Sequence, residues 1–311
     1  MKISSLFSGG IDGMSLGFSM AGYGQLSKSV DIDQQAVDLL RENYSHEIIQ
    51  TDIRNLSWHE FEDSDILTIT APCPEYSNAR NINRSRSKVT GKEKIQGKHL
   101  YLHAFRILAL VQPEVYIAEN VPEFLNYQIP SECFTELRPY DTYVISANTK
   151  DFNLPQERER VFFLGFRKKF PGVPDIFQHQ IYGRQQIIKD IKELNPKFNI
   201  PEYVKNRIDG QYRDLPSVKT DNDIGNTCVA HYAKDRSTTL IFDDNGYKEL
   251  RPFTPRGYAR LQGIPDEYKF LSASMTTKYR MIGNSVSPVI CRAIALEIKK
   301  YLERMVLKSN G

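Results

Sequence analysis

The stretch ISSLFSGGIDGMSLGFSMA, residues 3–21, decides the fold. Residues 3–7 predict a strand, and residues 14–21 predict a helix because their apolar side chains recur at helical spacing. The glycines between them let the backbone adopt positive φ and approach a ligand closely. The stretch therefore predicts a strand, a tight loop and a helix, which is the opening unit of an α/β sheet.

The same alternation continues through the first half of the chain. Further strands are predicted at 26–31, 48–52, 65–70, 115–118, 143–147 and 161–166, and helices at 34–43 and 100–111. This rhythm predicts an α/β fold with a doubly wound, mostly parallel sheet that binds ligands at the carboxyl ends of its strands.

The rhythm fails between residues 171 and 250, where polar residues, prolines and glycines are frequent. It returns from Arg251 and closes with a long helix at 288–307 that has a basic end. We therefore expect a larger domain over residues 1–170, a smaller one over 171–250, and a return to the larger domain over 251–311.

Composition bounds the class of protein. Hydrophobic residues make up 40% and charged residues 25% of the 311 residues, which is ordinary for a soluble globular protein. The four cysteines are scattered without a CxxC pair, so we expect neither a metal site nor a disulfide framework. Reduced thiols, a polar N-terminus and apolar runs that are too short to span a membrane fit a cytoplasmic protein without a membrane partner. A monomer is the default expectation, and a net charge of +3 does not by itself indicate nucleic-acid binding.

Three segments after predicted strands suit a nucleoside cofactor. The first is the glycine loop, whose following helix offers free N–H groups to an anion such as a carboxylate, although its spacing is not GxGxxG. Asp31 lies at the end of the second predicted strand, where an acidic residue can accept both ribose hydroxyls of a nucleoside. Asp52 lies at the end of the third, where it would accept the adenine amino group. Helix capping is the alternative for these carboxylates, and their order along the chain favours the nucleoside site.

Cys73 lies between two prolines at the end of a predicted strand. Such rigid presentation suits a thiolate that must reach one atom of a substrate. A buried cysteine that packs as a small hydrophobic residue is the alternative for an isolated cysteine.

Five short motifs follow one another in a specific order: Pro72-Cys73, Glu119-Asn120-Val121, Gln156-Glu157-Arg158-Glu159-Arg160, Arg260-Leu261-Gln262-Gly263-Ile264-Pro265-Asp266 and Gly283-Asn284-Ser285-Val286. In this order they resemble the DNA (cytosine-5)-methyltransferases, and Phe7-Ser8-Gly9 with the following glycines resembles the cofactor loop of that family. The resemblance covers nearly the whole chain except residues 171–250. It implies the fold of the S-adenosylmethionine-dependent methyltransferases and methyl transfer from that cofactor to C5 of a flipped-out cytosine in double-stranded DNA.

The resemblance also implies catalytic roles. Cys73 matches the thiolate that adds to cytosine C6, and Glu119 matches the acid that acts at N3. An apolar strand that delivers one carboxylate favours its protonated form, as acid catalysis near neutral pH requires. Arg160 matches the contact to the cytosine O2 or a nearby phosphate, and Arg158 is expected to support Glu119 or the catalytic loop. The two arginines alternate on a predicted strand, so both can face one side, whereas salt bridges with the neighbouring glutamates are the alternative. Asn120 is expected to order the loop rather than to join the chemistry.

The expected cofactor site combines these loops with residues that the resemblance adds. Its members are Phe7, Ser8, Gly9, Gly10, Ile11, Gly13, Asp31, Ile32, Asp52, Ile53, Pro72, Asn284 and Val286. The chain departs from the family in reading FSGGIDG instead of the commoner FxGxGG, and Pro74-Glu75 where many relatives have glutamine next to the cysteine. Neither departure removes a catalytic group.

DNA contacts are expected in two regions. The basic segment 77–98 follows the cysteine and could close over the phosphate backbone, although a bare charge run is by default solvated surface. Residues 171–250 stand where the family keeps its target recognition domain, and the short length of this segment predicts a short recognition sequence. The individual residues expected at DNA are Ser77, Arg80, Arg84, Arg86, Lys88, Gln156 and Arg260.

Two rival functions stay open, an enzyme from another branch of the same family and a protein of a different class. One is a tRNA cytosine-5 methyltransferase, which ranks lower on the expectation that the chain lacks the cysteine-phenylalanine-threonine element of that branch. The other is a DNA-binding regulator with a decayed site, which would have lost the cysteine or the glutamate. A cognate restriction endonuclease that acts separately is a further possible partner.

Overall fold

The computed structural model describes residues 1–72, 100–193, 195, 200, 217–235, 239–242 and 250–309. The strands are β1 (Ile3–Leu6), β2 (Leu26–Asp31), β3 (Glu47–Gln50), β4 (Ile66–Ile69), β5 (Val115–Asn120), β6 (Asp141–Asn148), β7 (Glu159–Phe166), β8 (Val218–Lys219), β9 (Leu240–Phe242) and β10 (Leu250–Pro252). The helices are α1 (Gly13–Met20), α2 (Gln34–Asn43), α3 (Leu100–Val111), α4 (Gln128–Thr135), α5 (Ile188–Ile191), α6 (Tyr232–Asp235), α7 (Pro255–Leu261), α8 (Met275–Asn284) and α9 (Pro288–Ser309).

The main sheet has seven strands within the described residues, in the order β3-β2-β1-β4-β5-β7-β6. Strands β1 to β5 are parallel, and β7 is antiparallel to both β5 and β6. The chain winds outward from β1 to β3 and then crosses back to β4, so the winding direction reverses between β1 and β4. Ligands of open α/β sheets bind at this reversal, beyond the carboxyl ends of the strands. The predicted doubly wound, mostly parallel sheet is confirmed.

Side chains on each strand alternate between two cores, one on each face of the sheet. On β5, Val115 and Ile117 pack into the core that contains α1 and α9, whereas Tyr116 and Ala118 pack into the core with α3. This period of two explains why strands with both faces covered are apolar throughout. The sheet is thereby held rigidly from both sides, and its carboxyl edge becomes a fixed platform.

Two strand boundaries differ from the prediction in ways that affect the site. β3 ends at Gln50, so Asp52 lies in the loop beyond the strand. β5 continues through Asn120 because Glu119 and Asn120 pair with Phe162 and Val161 of the antiparallel neighbour β7. This pairing joins distant parts of the chain and is invisible to local periodicity.

Residues 171–250 are partly built into the main body. The side chain of Ile176 is buried in the same core as α1 and α9, and Ile188, Cys228 and Tyr232 are buried in a third core that also contains Ile11. Strands β8, β9 and β10 form a second sheet, three-stranded within the described residues. The domain boundaries at 170/171 and 250/251 stay a prediction.

Within the described residues, the stretch Met275–Arg304 is long and apolar enough to cross a membrane by length and composition alone. The expectation that no apolar run approaches that length was wrong on these criteria. The physical reason is burial, because 83% of the most apolar window lies inside the protein. The stretch comprises α8, a short break and α9, and core helices of this kind pass the same test.

Candidate active site

The glycine loop between β1 and α1 is held in a contorted shape. Phe7, Gly9 and Asp12 all have positive φ, at 58°, 59° and 45°. A Cβ on Gly9 would meet no atom within 4 Å, so this glycine is required by its backbone conformation rather than by crowding. Two tyrosine hydroxyls fix the loop from behind, since Tyr268 donates to the carbonyl of Gly10 at 2.6 Å and Tyr44 donates to that of Ile11 at 2.9 Å.

The carboxylate of Asp12 caps α1 from inside the protein. Its Oδ1 accepts from the Ser15 amide at 3.0 Å and from the Ser5 hydroxyl at 3.1 Å, and its Oδ2 accepts from the hydroxyls of Ser15 at 2.8 Å and Ser29 at 2.6 Å. The His46 ring lies against the Ser29 hydroxyl, with Nε2 at 2.7 Å, and burial lowers the pKa of this histidine. Because Asp12 already supplies a negative charge at the start of α1, the helix N-terminus is less open to a ligand carboxylate than the sequence alone predicts.

A cleft of about 510 Å³ opens along the carboxyl edge of β1, β2 and β4. This volume lies within the range of roughly 300–1,000 Å³ that is usual for small-molecule sites. All thirteen residues expected at the cofactor line it: Phe7, Ser8, Gly9, Gly10, Ile11, Gly13, Asp31, Ile32, Asp52, Ile53, Pro72, Asn284 and Val286.

Asp31 and Ile32 form one side of the cleft at the end of β2. The Asp31 carboxylate accepts from the amides of Gly9 at 2.8 Å and Asp33 at 2.9 Å, and each oxygen keeps acceptor capacity for a ligand. Burial raises the pKa of Asp31, and these amide contacts oppose the rise. The Ile32 side chain is 62% exposed, which is unusual for an apolar residue in a concave site and offers a surface for a flat ring.

Asp52 is paired rather than free. The Arg54 guanidinium contacts both oxygens of its carboxylate, and the Arg54 amide donates to Oδ1 at 2.9 Å. These contacts lower the pKa of Asp52. Asp52 therefore stays ionised and fixed beside the cleft, and a bond to an adenine amino group would use its remaining acceptor capacity.

The opposite wall comes from the Gly283-Asn284-Ser285-Val286 motif, which lies far away in sequence. A Cβ on Gly13 would lie 2.2 Å from the carbonyl oxygen of Val286, so glycine is required for α1 to approach this wall. Arg280 of α8 pairs with Asp33 and donates to Gln35 at 2.8 Å, which ties the wall to the start of α2.

Glu119 and Arg160 form an ion pair at the other end of the cleft. The Arg160 Nε lies 3.2 Å from Glu119 Oε1, and the two side chains are only 12% and 11% exposed. Burial raises the pKa of Glu119, and the positive charges of Arg160 and Arg158 oppose this rise. A raised pKa is the direction of change that a proton donor near neutral pH requires.

The strand end that leads to Cys73 faces this pair. Thr70, Ala71 and Pro72 line the cleft together with Glu119, and the Asn120 side-chain amide donates to the carbonyl of Ala71 at 3.4 Å. This contact ties Asn120 to the strand end, and the loop-ordering role of Asn120 stays a prediction. Several predicted site residues lie outside the described residues, namely Cys73, Ser77, Arg80, Arg84, Arg86 and Lys88.

Arg158 and Gln156 turn inward. Arg158 precedes β7 rather than alternating with Arg160 along it, and its buried guanidinium donates to the carbonyls of Cys228, Gly283 and Ser285. Gln156 is fully buried and bonds to Leu261, Gln262 and Cys228. This burial argues against the predicted DNA contact of Gln156, because a buried amide that is already bonded presents nothing to a duplex.

Arg260 remains partly exposed. Its Nε and Nη2 donate to the carboxylate of Asp266 at 2.8 and 2.7 Å, and its Nη1 donates to the carbonyl of Ile191 at 3.4 Å. A DNA contact would share or displace this fork, and it stays a prediction. Among the described residues there is no group of three or more His, Cys, Asp or Glu side chains that could hold a metal ion.

The sequence comparisons identify the family. A family model described as C-5 cytosine-specific DNA methylase matches residues 1–300. The chain belongs to this family. It is therefore a DNA cytosine-5 methyltransferase, and this family and fold imply S-adenosylmethionine as the cofactor.

Two bacterial relatives align along nearly their whole length. The type II methyltransferase M.FnuDI of Fusobacterium nucleatum is 28% identical over 97% of this chain and 95% of its own. The type II methyltransferase M.NgoPII of Neisseria gonorrhoeae is 29% identical over 98% of this chain and 97% of its own. Among solved structures, the S. pombe Dnmt2 methyltransferase superposes with a TM-score of 0.80 at 20% identity, and covers 96% of this chain and 99% of its own. This likeness shows the fold alone.

One expectation about the RNA rival was wrong. The tripeptide Cys133-Phe134-Thr135 does occur, on α4. The Phe134 ring is buried in the core under β5, and burial raises the pKa of the partly buried Cys133 thiol. Because the tripeptide is present, the argument against an RNA substrate that rested on its absence does not hold, and DNA rests on the family match instead.

Sequence reasoning missed several residues that shape the cleft. Four side chains that hold the glycine loop or the opposite wall in place were given no role by the sequence: Asp12, Tyr44, Tyr268 and Arg280. Asp12 had a detectable signal, because a bulky charged residue stands inside a loop where the family keeps glycines. The tyrosines had none, since their contacts join residues up to 258 positions apart.

Proposed function

We propose that this protein methylates C5 of a flipped-out cytosine within a short sequence of duplex DNA, through a covalent bond between Cys73 and cytosine C6. The observation that carries the proposal is the position of the Glu119 carboxyl group. It pairs with Arg160 and lines the same cleft as Pro72, the residue before the cysteine in sequence. An acid and a nucleophile are the two groups that addition to a cytosine ring requires, and the proposal is that Cys73 joins Glu119 at this cleft.

S-adenosylmethionine fits the residues of the cleft. The carboxylate of Asp31 would accept the ribose hydroxyls, the exposed face of Ile32 and the buried Ile53 would contact adenine, and Asn284 with Val286 would close the site. When bound, this cofactor supplies an electrophilic methyl group.

The residues of the chain make cytosine reactive in an ordered way. The Cys73 thiolate adds to C6, while Glu119 holds a proton against N3 and so neutralises the charge that develops on the ring. Arg160 is positioned to contact the cytosine O2 while it keeps Glu119 in place. C5 thereby becomes enamine-like and nucleophilic enough to accept a methyl group. When the C5 proton is then lost to water, the C5–C6 double bond re-forms and the bond between Cys73 Sγ and C6 breaks.

The base is unreachable inside a duplex, so the reaction requires flipping. We propose that the basic segment after Cys73 contacts the phosphate backbone during this step and that residues 171–250 read the target sequence. The names of the bacterial relatives support a type II restriction-modification setting, with a separate endonuclease that cuts the unmodified site. We further propose a cytoplasmic monomer.

The test uses tritiated S-adenosylmethionine with mixed-sequence duplex DNA and with tRNA, for the native protein and for Cys73→Ala. The expected result is 5-methylcytosine in DNA with the native protein only. Label in tRNA would favour the RNA alternative, and DNA binding without transfer to either would favour the regulatory one. Exchanging residues 171–250 for the matching segment of a relative should change the methylated sequence, and unchanged specificity would contradict the assignment of that segment.

A further inference from the structure

Three buried side chains form a hydrogen-bonded cluster that we call the polar hub, defined as Gln156, Arg158 and Gln262. The Nε2 of Gln156 donates to the Oε1 of Gln262 at 2.6 Å. The Nε2 of Gln262 donates to the carbonyl of Ser285 at 2.7 Å, and Arg158 donates to the same carbonyl at 2.9 Å. Arg158 and Gln262 therefore converge on the wall of the cofactor cleft, and Gln156 reaches it through Gln262.

The hub also forms hydrogen bonds with the backbone of Cys228, which lies within residues 171–250. The Cys228 amide donates to Gln156 Oε1 at 2.7 Å, and the Cys228 carbonyl accepts from Arg158 at 2.8 Å. Both backbone polar groups of Cys228 are thus bonded to members of the hub, and one of these members, Arg158, also donates to Ser285. The neighbouring Thr227 hydroxyl donates to the Glu157 carbonyl at 2.6 Å, which adds a second hydrogen-bonded position between the same two segments.

Close backbone packing joins the same two regions independently of these bonds. A Cβ on Gly283 would lie 2.4 Å from the carbonyl carbon of Val229 and 2.5 Å from the amide of Ala230. Gly283 directly precedes Asn284, which lines the cleft. The segment 228–230 therefore has the cofactor wall as its immediate support, and neither can shift without moving the other.

We propose that the polar hub couples DNA binding at residues 171–250 to cofactor binding in the cleft, which makes Gln156 and Gln262 positioning residues for the cofactor. This inference rests on the proposed function, because it requires that residues 171–250 contact the DNA. A DNA contact that displaces Cys228 is transmitted through the hub to Ser285 and so changes the affinity of the cleft for the cofactor. By linkage, the cofactor changes the affinity for DNA by the same factor.

The experiment measures how tightly S-adenosylhomocysteine binds, by calorimetry, with and without a duplex that the native protein methylates. S-adenosylhomocysteine is the product that remains after methyl transfer. It has no methyl group to donate, so no turnover occurs during the titration. In the native protein, DNA should change the dissociation constant by a factor in the usual range of roughly 5–150. Gln262→Ala should bring this factor closer to one by about twofold or more, because the bonds to Ser285 and Gln156 are lost while Arg158 still bridges Cys228 and Ser285.

Two further variants separate coupling from folding. Gln262→Met keeps the length of the side chain and fills its space, so it tests the hydrogen bonds should the alanine variant fail to fold. Gln185→Ala is the matched control: its amide donates to the carbonyl of Leu154 at 2.6 Å and ties the same region to the protein without a contact to the cleft wall. This control should keep the native coupling factor.

Kinetics provides a second readout. Loss of the hub should raise the KM for S-adenosylmethionine more than it lowers kcat, whereas loss of folded protein alone would lower kcat at unchanged KM. The inference is overturned if the native protein shows no coupling, or if the Gln262 variants keep it. A failure of the proposed function would differ, because the native protein would then transfer no methyl group to DNA.

Discussion

Replacing Asp12 should both destabilise the protein and weaken cofactor binding. Its buried carboxylate accepts from Ser5, Ser15 and Ser29, so removal takes away a helix cap and leaves buried donors without an acceptor. A lost cap costs about 1 kcal/mol, and a buried donor left unpaired costs about 1–3 kcal/mol. Ser29 keeps its contact to His46, so its share is the smallest.

Three substitutions separate the side chain from the backbone conformation. Asp12→Ala should lower the free energy of unfolding by about 2–4 kcal/mol from the lost cap and the unpaired donors, while the strain of a Cβ at positive φ, which the native aspartate already carries, is retained. Asp12→Gly removes that strain and should be about 1 kcal/mol less harmful than alanine. Asp12→Asn keeps one acceptor oxygen and tolerates the left-handed conformation, so about 1–2 kcal/mol is expected.

The assay is urea unfolding at constant slope, paired with calorimetric titration of S-adenosylmethionine. Ser64→Ala is the control, because it breaks a buried Ser4–Ser64 hydrogen bond of 2.7 Å at the opposite end of β1 and β4. It should cost about 1 kcal/mol and leave cofactor affinity unchanged. The reasoning fails if all three Asp12 variants unfold within about 0.5 kcal/mol of the native protein.

Three further perturbations test other parts of the site. Glu119→Gln should slow methyl transfer by about 10²–10⁴-fold, and should abolish the fall in rate that the native protein shows as pH rises through the raised pKa of Glu119. Gly13→Ala should cost about 1–3 kcal/mol and weaken cofactor binding, because the new Cβ meets the Val286 carbonyl at 2.2 Å, whereas Gly24→Ala meets no atom within 4 Å and should be neutral. Arg260→Ala should lower the salt dependence of DNA binding by about one counterion if this residue contacts a phosphate.

Each of these has a result that contradicts it. Because burial raises the pKa of Glu119 in the folded state, its protonated form stabilises the fold at low pH, and this contribution is lost as pH rises through the folded pKa. Glu119→Gln should thus gain stability relative to the native protein as pH rises, and a constant difference would refute the assigned shift. Tight cofactor binding by Gly13→Ala would refute the close approach of α1 to the wall. Equal loss of DNA affinity in Arg260→Ala and Asp266→Ala would indicate that their ion pair acts only structurally.

The sequence by itself determined the fold class and the order of the motifs, because both depend on local pattern, whereas the expected cofactor residues drew also on the family resemblance and stay a prediction. Period-two strands, helical spacing and glycines at a strand end are short-range signals, and all thirteen predicted cofactor residues line the cleft. Only the tertiary structure decided what the charged and polar motif residues touch. Arg158 and Arg160 stand two positions apart, yet one guanidinium is buried against carbonyls up to 127 residues away and the other faces Glu119. The direction of such a side chain depends on which distant segment removes it from water, and the energy of that burial is absent from local periodicity.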